Sequence, residues 1–158
     1  MAVALLAAAC SGGGHSGGPA TTVVPDQVTA DRWVPPAITG GAGEANFCLA
    51  LTSIYRHLAD LPRVVSKPVT EDYLSDYVRF SPVVVAAAPS PVHASAALYV
   101  GATATYLNQL VRAGIDLNHL PPGSLSEMST PAVNAAYTTL SGYARTQCHY
   151  TIGGAPNA

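Results

Sequence analysis

The chain has 158 residues, room for one modest domain. Only 10% of them are charged and the formal net charge is −2, where soluble proteins average about 25% charged. That leaves no basic field to gather nucleic acid and no run near the ~20 apolar residues of a membrane span, while an apolar share of 49% is too high for a disordered chain.

Residues 1–9 read MAVALLAAA, a short apolar run ending in small residues, and Cys10 follows directly. A secretory signal has this form before its cleavage point. With Ala7-Ala8-Ala9 in front of the cysteine, the segment resembles a bacterial lipobox. It departs from the pattern in two places: Ala7 stands where Leu is usual, with Leu6 one place further out, and no Lys or Arg precedes the apolar run. The resemblance implies a signal peptide over 1–9, cut short at its start, and lipidation of Cys10. The chain would then be exported and held to the outer face of the cytoplasmic membrane, in the cell envelope. Residues 10–43 suit a flexible tether, with SGGGHSGG at 11–18 and three prolines between Thr21 and Pro36; Gly/Ser stretches behave as coil and Pro-rich ones as stiffer spacers. Trp33, the chain's one Trp, falls in this stretch.

From 44 to 150 the pattern is helical, and 151–158 reads as a disordered tail. Phe47, Leu51, Ile54, Tyr55 and Leu58 form the stripe of a first helix. His57 lies off that stripe and is expected at the surface or the boundary of the core. Thr70 can cap a second helix, with Glu71 and Asp72 in its first turn and a stripe of Tyr73, Tyr77, Phe80 and Val84. Glu71, Asp72 and Asp76 read as its solvated acidic face. Pro82 should kink this helix, or restart it with Ser81 as a new cap, and residues 82–88 read as either helix or extended chain. Ser90 then Pro91 opens the third helix as a cap followed by Pro. Its stripe is Val92, Ala96, Tyr99, Val100, Thr103, Tyr106, Leu107, Leu110 and Val111, closed by Gly114 with Ile115 folding back. A long loop follows, from Ile115 to Ser129. Thr130 and Pro131 start a fourth helix, with Val133, Ala136, Tyr137, Leu140, Ala144 and Cys148 on its stripe.

With Cys10 lipidated, Cys48 and Cys148 remain as partners in an oxidising compartment. They lie a hundred positions apart. In an up-down bundle with four helices, the start of the first and the end of the last share one pole. An even helix count and a Cys48–Cys148 bridge therefore support each other. An odd count would separate the thiols by about a helix length, beyond the roughly 4.4–6.8 Å that a disulfide's Cα atoms allow. The expected fold is an all-α, up-down four-helix bundle with a kinked or split second helix, closed end to end by this disulfide.

Phe47-Cys48-x-x-Leu51-x-x-Ile54 near the start and Leu140-x-x-Tyr143-x-x-x-x-Cys148 at the end resemble a broad group of small actinobacterial lipoproteins, which join a lipobox and polar linker to a helical domain stapled end to end. One Lys against six Arg, with abundant Ala, Gly and Pro, fits a high-GC origin. The resemblance implies no activity.

No nucleophile elbow, zinc-protease helix, phosphate loop or calcium loop occurs, and the histidines and cysteines lack ligand spacing. No metal, cofactor or catalytic residue is assigned. Eight Tyr against two Phe is the unusual feature. Tyr73, Tyr77, Tyr99 and Tyr106 would line a ligand groove between the second and third helices if their hydroxyls do not simply rim the core. Asp116, Asn118 and His119, beside Pro121-Pro122, mark the long loop as a second candidate, since unstructured loops of that length are often functional. The expected function is a lipid-anchored binding or interaction domain for an envelope protein or a small apolar ligand. The alternatives are an envelope hydrolase built on His119 and Asp116, or a structural or surface antigen with no pocket.

Overall fold

The structure, a computed structural model, describes residues 33–59, 61 and 67–153. The lipobox with Cys10, and the tether before Trp33, lie outside the described residues. Every regular element among the described residues is helical: α1 (Glu44–Ala59), α2 (Lys67–Ala87), α3 (Ser90–Arg112), a 3₁₀ turn (Leu117–His119), α4 (Ser124–Met128) and α5 (Pro131–Gln147). None of these helices is long and apolar enough to cross a membrane.

The apolar stripes explain the packing. Phe47, Leu51 and Ile54 of α1, Tyr77 and Val84 of α2, Val100 of α3 and Leu140 of α5 are fully buried and form one core. Within it α2 packs on α1 and α3, α3 packs on α5, and α1 touches α5. The start of α1 is tied twice. Gly43 N–H donates to the Ala87 carbonyl at the end of α2, 3.0 Å away, and Cys48 is bonded to Cys148 just past α5, with Cα atoms 5.1 Å apart. The expected bridge is therefore present, within the span a disulfide permits.

Several expectations change. Five α-helices are found among the described residues where four were expected, because part of the 115–129 connection folds. Asp116 caps the 3₁₀ turn by accepting the Asn118 N–H, and Gly123, at φ 92°, turns the chain into the five-residue α4. Pro82 neither splits α2 nor restarts it. A proline removes the N–H that would bond the carbonyl four residues back. Here that carbonyl, on Val78, accepts the buried Ser81 hydroxyl at 2.9 Å, so the helix runs on to Ala87 and the choice at 82–88 resolves to helix as far as that residue. Helix α2 begins at Lys67, ahead of Thr70. Helix α3 is capped by Pro89, with Ser90 already helical and making no capping bond. Its far end closes as expected: Ile115 N–H donates to Leu110 and Gly114 N–H to Val111, both at 2.9 Å, with Gly114 at φ 65°. Thr130 caps α5 by accepting the Val133 N–H.

The packed region exceeds the expected 44–150 limits. Trp33 and Ile38 pack against the core from the stretch assigned to the tether, and Ile152 is buried in the stretch assigned to the tail.

Two outcomes follow. Replacing Cys48 and Cys148 by Ser should lower unfolding free energy by about 4–5 kcal/mol, the chain-entropy value for so long a loop, measured by urea titration. Ser81→Ala should cost about 1 kcal/mol by removing the hydroxyl donor from the half-buried Val78 carbonyl, and the loss should shrink in a Pro82→Ala background, where a backbone N–H returns to that acceptor.

Candidate functional site

The most concentrated polar chemistry among the described residues lies where the last turn of α1 meets α2. Ile54, three residues before His57, is fully buried, and so is Ala50, seven before it. His57 thus lies on the inward side of α1, at 5% exposure, against the surface or boundary position expected from sequence. Its ring is sandwiched. Trp33 stacks on it at 4.4 Å between centroids with planes 14° apart, and Tyr73 stacks at 4.3 Å and 13°. Two near-parallel rings at that spacing must cover opposite faces of the imidazole.

Asp76 completes the cluster. It follows Tyr73 by three residues and precedes Phe80 by four, so it shares the inward face of α2. It is 8% exposed, which removes it from the solvated acidic face expected for Glu71, Asp72 and Asp76; of the other two, Asp72 is exposed and Glu71 is half-buried. Asp76 Oδ2 lies 3.3 Å from His57 Nε2, and Oδ1 accepts from Arg79 Nη2. A buried carboxylate is costly unless paired, and each of its oxygens has a cationic or imidazole partner. Trp33 also meets Phe80 edge to face, 5.2 Å between centroids at 89°. Trp33, Pro35, Asp76, Arg79 and Phe80 line a cleft of about 280 Å³.

The four tyrosines of the expected groove are divided by the structure. Tyr73 covers His57. Tyr77 is fully buried in the core, its hydroxyl 3.3 Å from that of Tyr55. Tyr99 lies against the ring of Tyr137, 5.1 Å between centroids, and Tyr106 packs half-buried on the core. A fully buried Tyr77 belongs to packing and lines no open groove. The cleft lies instead against Asp76, Arg79 and Phe80 of α2, toward Trp33. Its signal in the sequence was the same 3–4 spacing that marked the apolar stripes, which His57 and Asp76 also satisfy.

Burial sets the tyrosine electrostatics. Desolvation raises Tyr55 well above its ordinary pKa, and the neighbouring Tyr77 adds to the rise. Desolvation also pushes Tyr77 up to about 12, against hydrogen bonds from Tyr55 and Thr103 that pull it down.

Asp116, Asn118 and His119 do come together. Asp116 Oδ1 accepts from the Asn118 N–H and side-chain amide, and Oδ2 lies 2.7 Å from His119 Nδ1. The Asn118 backbone N–H, followed by His119, holds the exposed Asp116 carboxyl below the usual carboxylate range. His119 hydrogen-bonds no hydroxyl or thiol among the described residues, so the trio serves as the cap of a 3₁₀ turn. No group of three or more His, Cys, Asp or Glu among the described residues could hold a metal ion. No family model, curated protein or solved structure matches the chain.

In alkaline titration followed by tyrosinate absorbance, Tyr55 and Tyr77 should ionise after the exposed tyrosines, Tyr77 near pH 12. The unfolded chain releases these protons near pH 10 while the fold retains them. The stability from the neutral Tyr77 is therefore complete below pH 10 and declines as pH rises from 10 toward 12, by roughly 3 kcal/mol in all. Tyr77→Phe should flatten that part of the decline, read from denaturant midpoints across the pH range.

Proposed function

We propose that the chain is an exported, lipid-anchored protein of the cell envelope whose helical domain binds a partner or small ligand. In this reading residues 1–9 direct export, Cys10 carries the lipid, and the stretch before Trp33 spaces the domain from the outer face of the cytoplasmic membrane. The four long helices, α1, α2, α3 and α5, then run up and down as one bundle, with α4 as an inset in the connection between α3 and α5.

The observation that carries the reading is the Cys48–Cys148 bond. Disulfides persist in oxidising compartments and are rare where thiols are kept reduced. A cysteine pair that joins the first helix to the end of the last belongs outside the cytosol. Binding is favoured over catalysis by the surroundings of His57 and His119. His57 is enclosed on both faces by aromatic rings, and His119 is engaged with Asp116 in capping a turn. Among the described residues His119 meets no hydroxyl or thiol that it could activate. The cleft beside Trp33 is the concave feature that a binding role would use.

Expressed behind a functional export signal in an actinobacterial host, the protein should partition with membranes, and mass spectrometry should find a mature chain beginning at a lipid-modified Cys10. Cys10→Ala should release it from the membrane fraction. A mature chain that begins elsewhere, or free Cys48 and Cys148 thiols in the exported protein, would refute the assignment.

A further inference from the structure

We propose that the cleft between the Trp33–Pro35 segment and α2 is a binding site for a small aromatic carboxylate. The inference rests on the binding role proposed above and specifies its ligand.

The walls and the charge both point to that chemistry. Trp33 and Phe80 meet at 89°, forming a perpendicular aromatic corner beside Pro35. Trp33 spends one face on His57. A flat ring that entered the corner would meet an indole and a phenyl group in stacked and edge contact, the arrangements aromatic pairs prefer. The cleft volume of about 280 Å³ is near the lower end of small-molecule sites, roughly 300 Å³, and suits one or two fused rings better than a larger ligand.

Electrostatics then selects the sign of the substituent. Among the described residues Asp76 is the only acid lining the cleft, and its carboxylate already faces partners, one oxygen bonded to Arg79 and the other toward His57, with its side chain 10% exposed. With both oxygens facing these neighbours and the side chain nearly buried, it is poorly exposed to a ligand cation. Arg79 is the opposite case. Its side chain is 60% exposed, and Asp76 is its one hydrogen-bond partner among the described residues. A guanidinium carries five N–H donors in a planar fork, so Arg79, exposed at the cleft, keeps donors to spare after satisfying Asp76. Asp76 also holds it in place, which lowers the ordering cost of a second, charge-assisted pair with a carboxylate.

The test uses the full disulfide-bonded chain and three probes of one shape: 2-naphthoate, its neutral amide, and 2-naphthylmethylammonium. Trp33 is the only Trp, so its indole N–H is a single NMR resonance that reports on the cleft. Naphthoate should shift that resonance saturably at millimolar concentration or below, the amide should bind at least about tenfold more weakly, and the ammonium weaker still. Arg79→Gln, at an exposed position, should weaken naphthoate at least about tenfold and leave the amide unchanged. Arg79→Lys, which keeps the charge and loses the fork, should fall between them. Ammonium binding equal to or tighter than naphthoate, a naphthoate effect that spares the Trp33 resonance, no saturable shift at all, or an unchanged affinity in Arg79→Gln would each overturn the proposal. These outcomes are read on purified protein and are independent of the Cys10 and membrane measurements, so either assignment can fail while the other stands.

Discussion

The covalent bond between Cys48 and Cys148 is the constraint on which the rest of the domain depends. It joins the first turns of α1 to the residue after α5 across a sequence separation of 100. Around it the ends of three helices converge. Gly43 N–H holds the start of α1 to the last residue of α2, and Phe47, fully buried beside Cys48, lies edge-on to Tyr143 of α5. Past the bridge, Tyr150 N–H returns to the Ala144 carbonyl, and the Tyr150 ring lies under the Arg56 guanidinium. In a small domain with so few charges, surface ion pairs add little. The core is modest, and a cross-link that restricts the unfolded chain compensates for it.

The second organising feature is how polar groups enter that core. Two solutions stand side by side. Tyr55 and Tyr77 face one another as neutral hydroxyls, and burial keeps them neutral by raising the pKa of both. His57 and Asp76 instead form a buried contact between ionisable groups, enclosed by Trp33 and Tyr73 and connected to solvent through Arg79. Such pairs are weak contributors to stability but costly to break, because removal of one partner strands the other. Their presence at the edge of a cleft, with Arg79 extending outward, is what separates this end of α2 from the ordinary packing elsewhere along it.

The segment at Trp33–Gly43 shows how the two features connect. Asn46, on α1, donates from its side-chain amide to the Thr39 and Gly41 carbonyls, and Gly40 supplies the left-handed turn at φ 104°. Ile38 packs on the core, and Trp33 reaches His57. The segment is thereby anchored at α1 at one end and over the His57 ring at the other, and it forms one wall of the cleft.

Much of the fold was legible residue by residue. The stripes of α1, α3 and α5, the Thr130 cap, the Gly114–Ile115 closure and the pairing of Cys48 with Cys148 all follow from spacing, local hydrogen-bonding capacity and cysteine arithmetic. These are short-range or single-valued signals, so they survive folding unchanged. His57, Asp76 and Trp33 were misplaced for a common reason. Polarity suggested exposure for the first two, and a proline-flanked position suggested a tether for the third, yet His57 is buried between the Trp33 and Tyr73 rings, Asp76 is buried between His57 and Arg79, and Trp33 is half-buried against His57 and Phe80. Ser81 is a similar case: its value lies in the carbonyl that Pro82 leaves unbonded. The sequence by itself determined the four long helical segments in outline and pointed to the pairing of two distant cysteines. Only the tertiary structure decided which polar side chains go inside, because the cost of burying them is set by partners from other elements, and no local pattern encodes those partners.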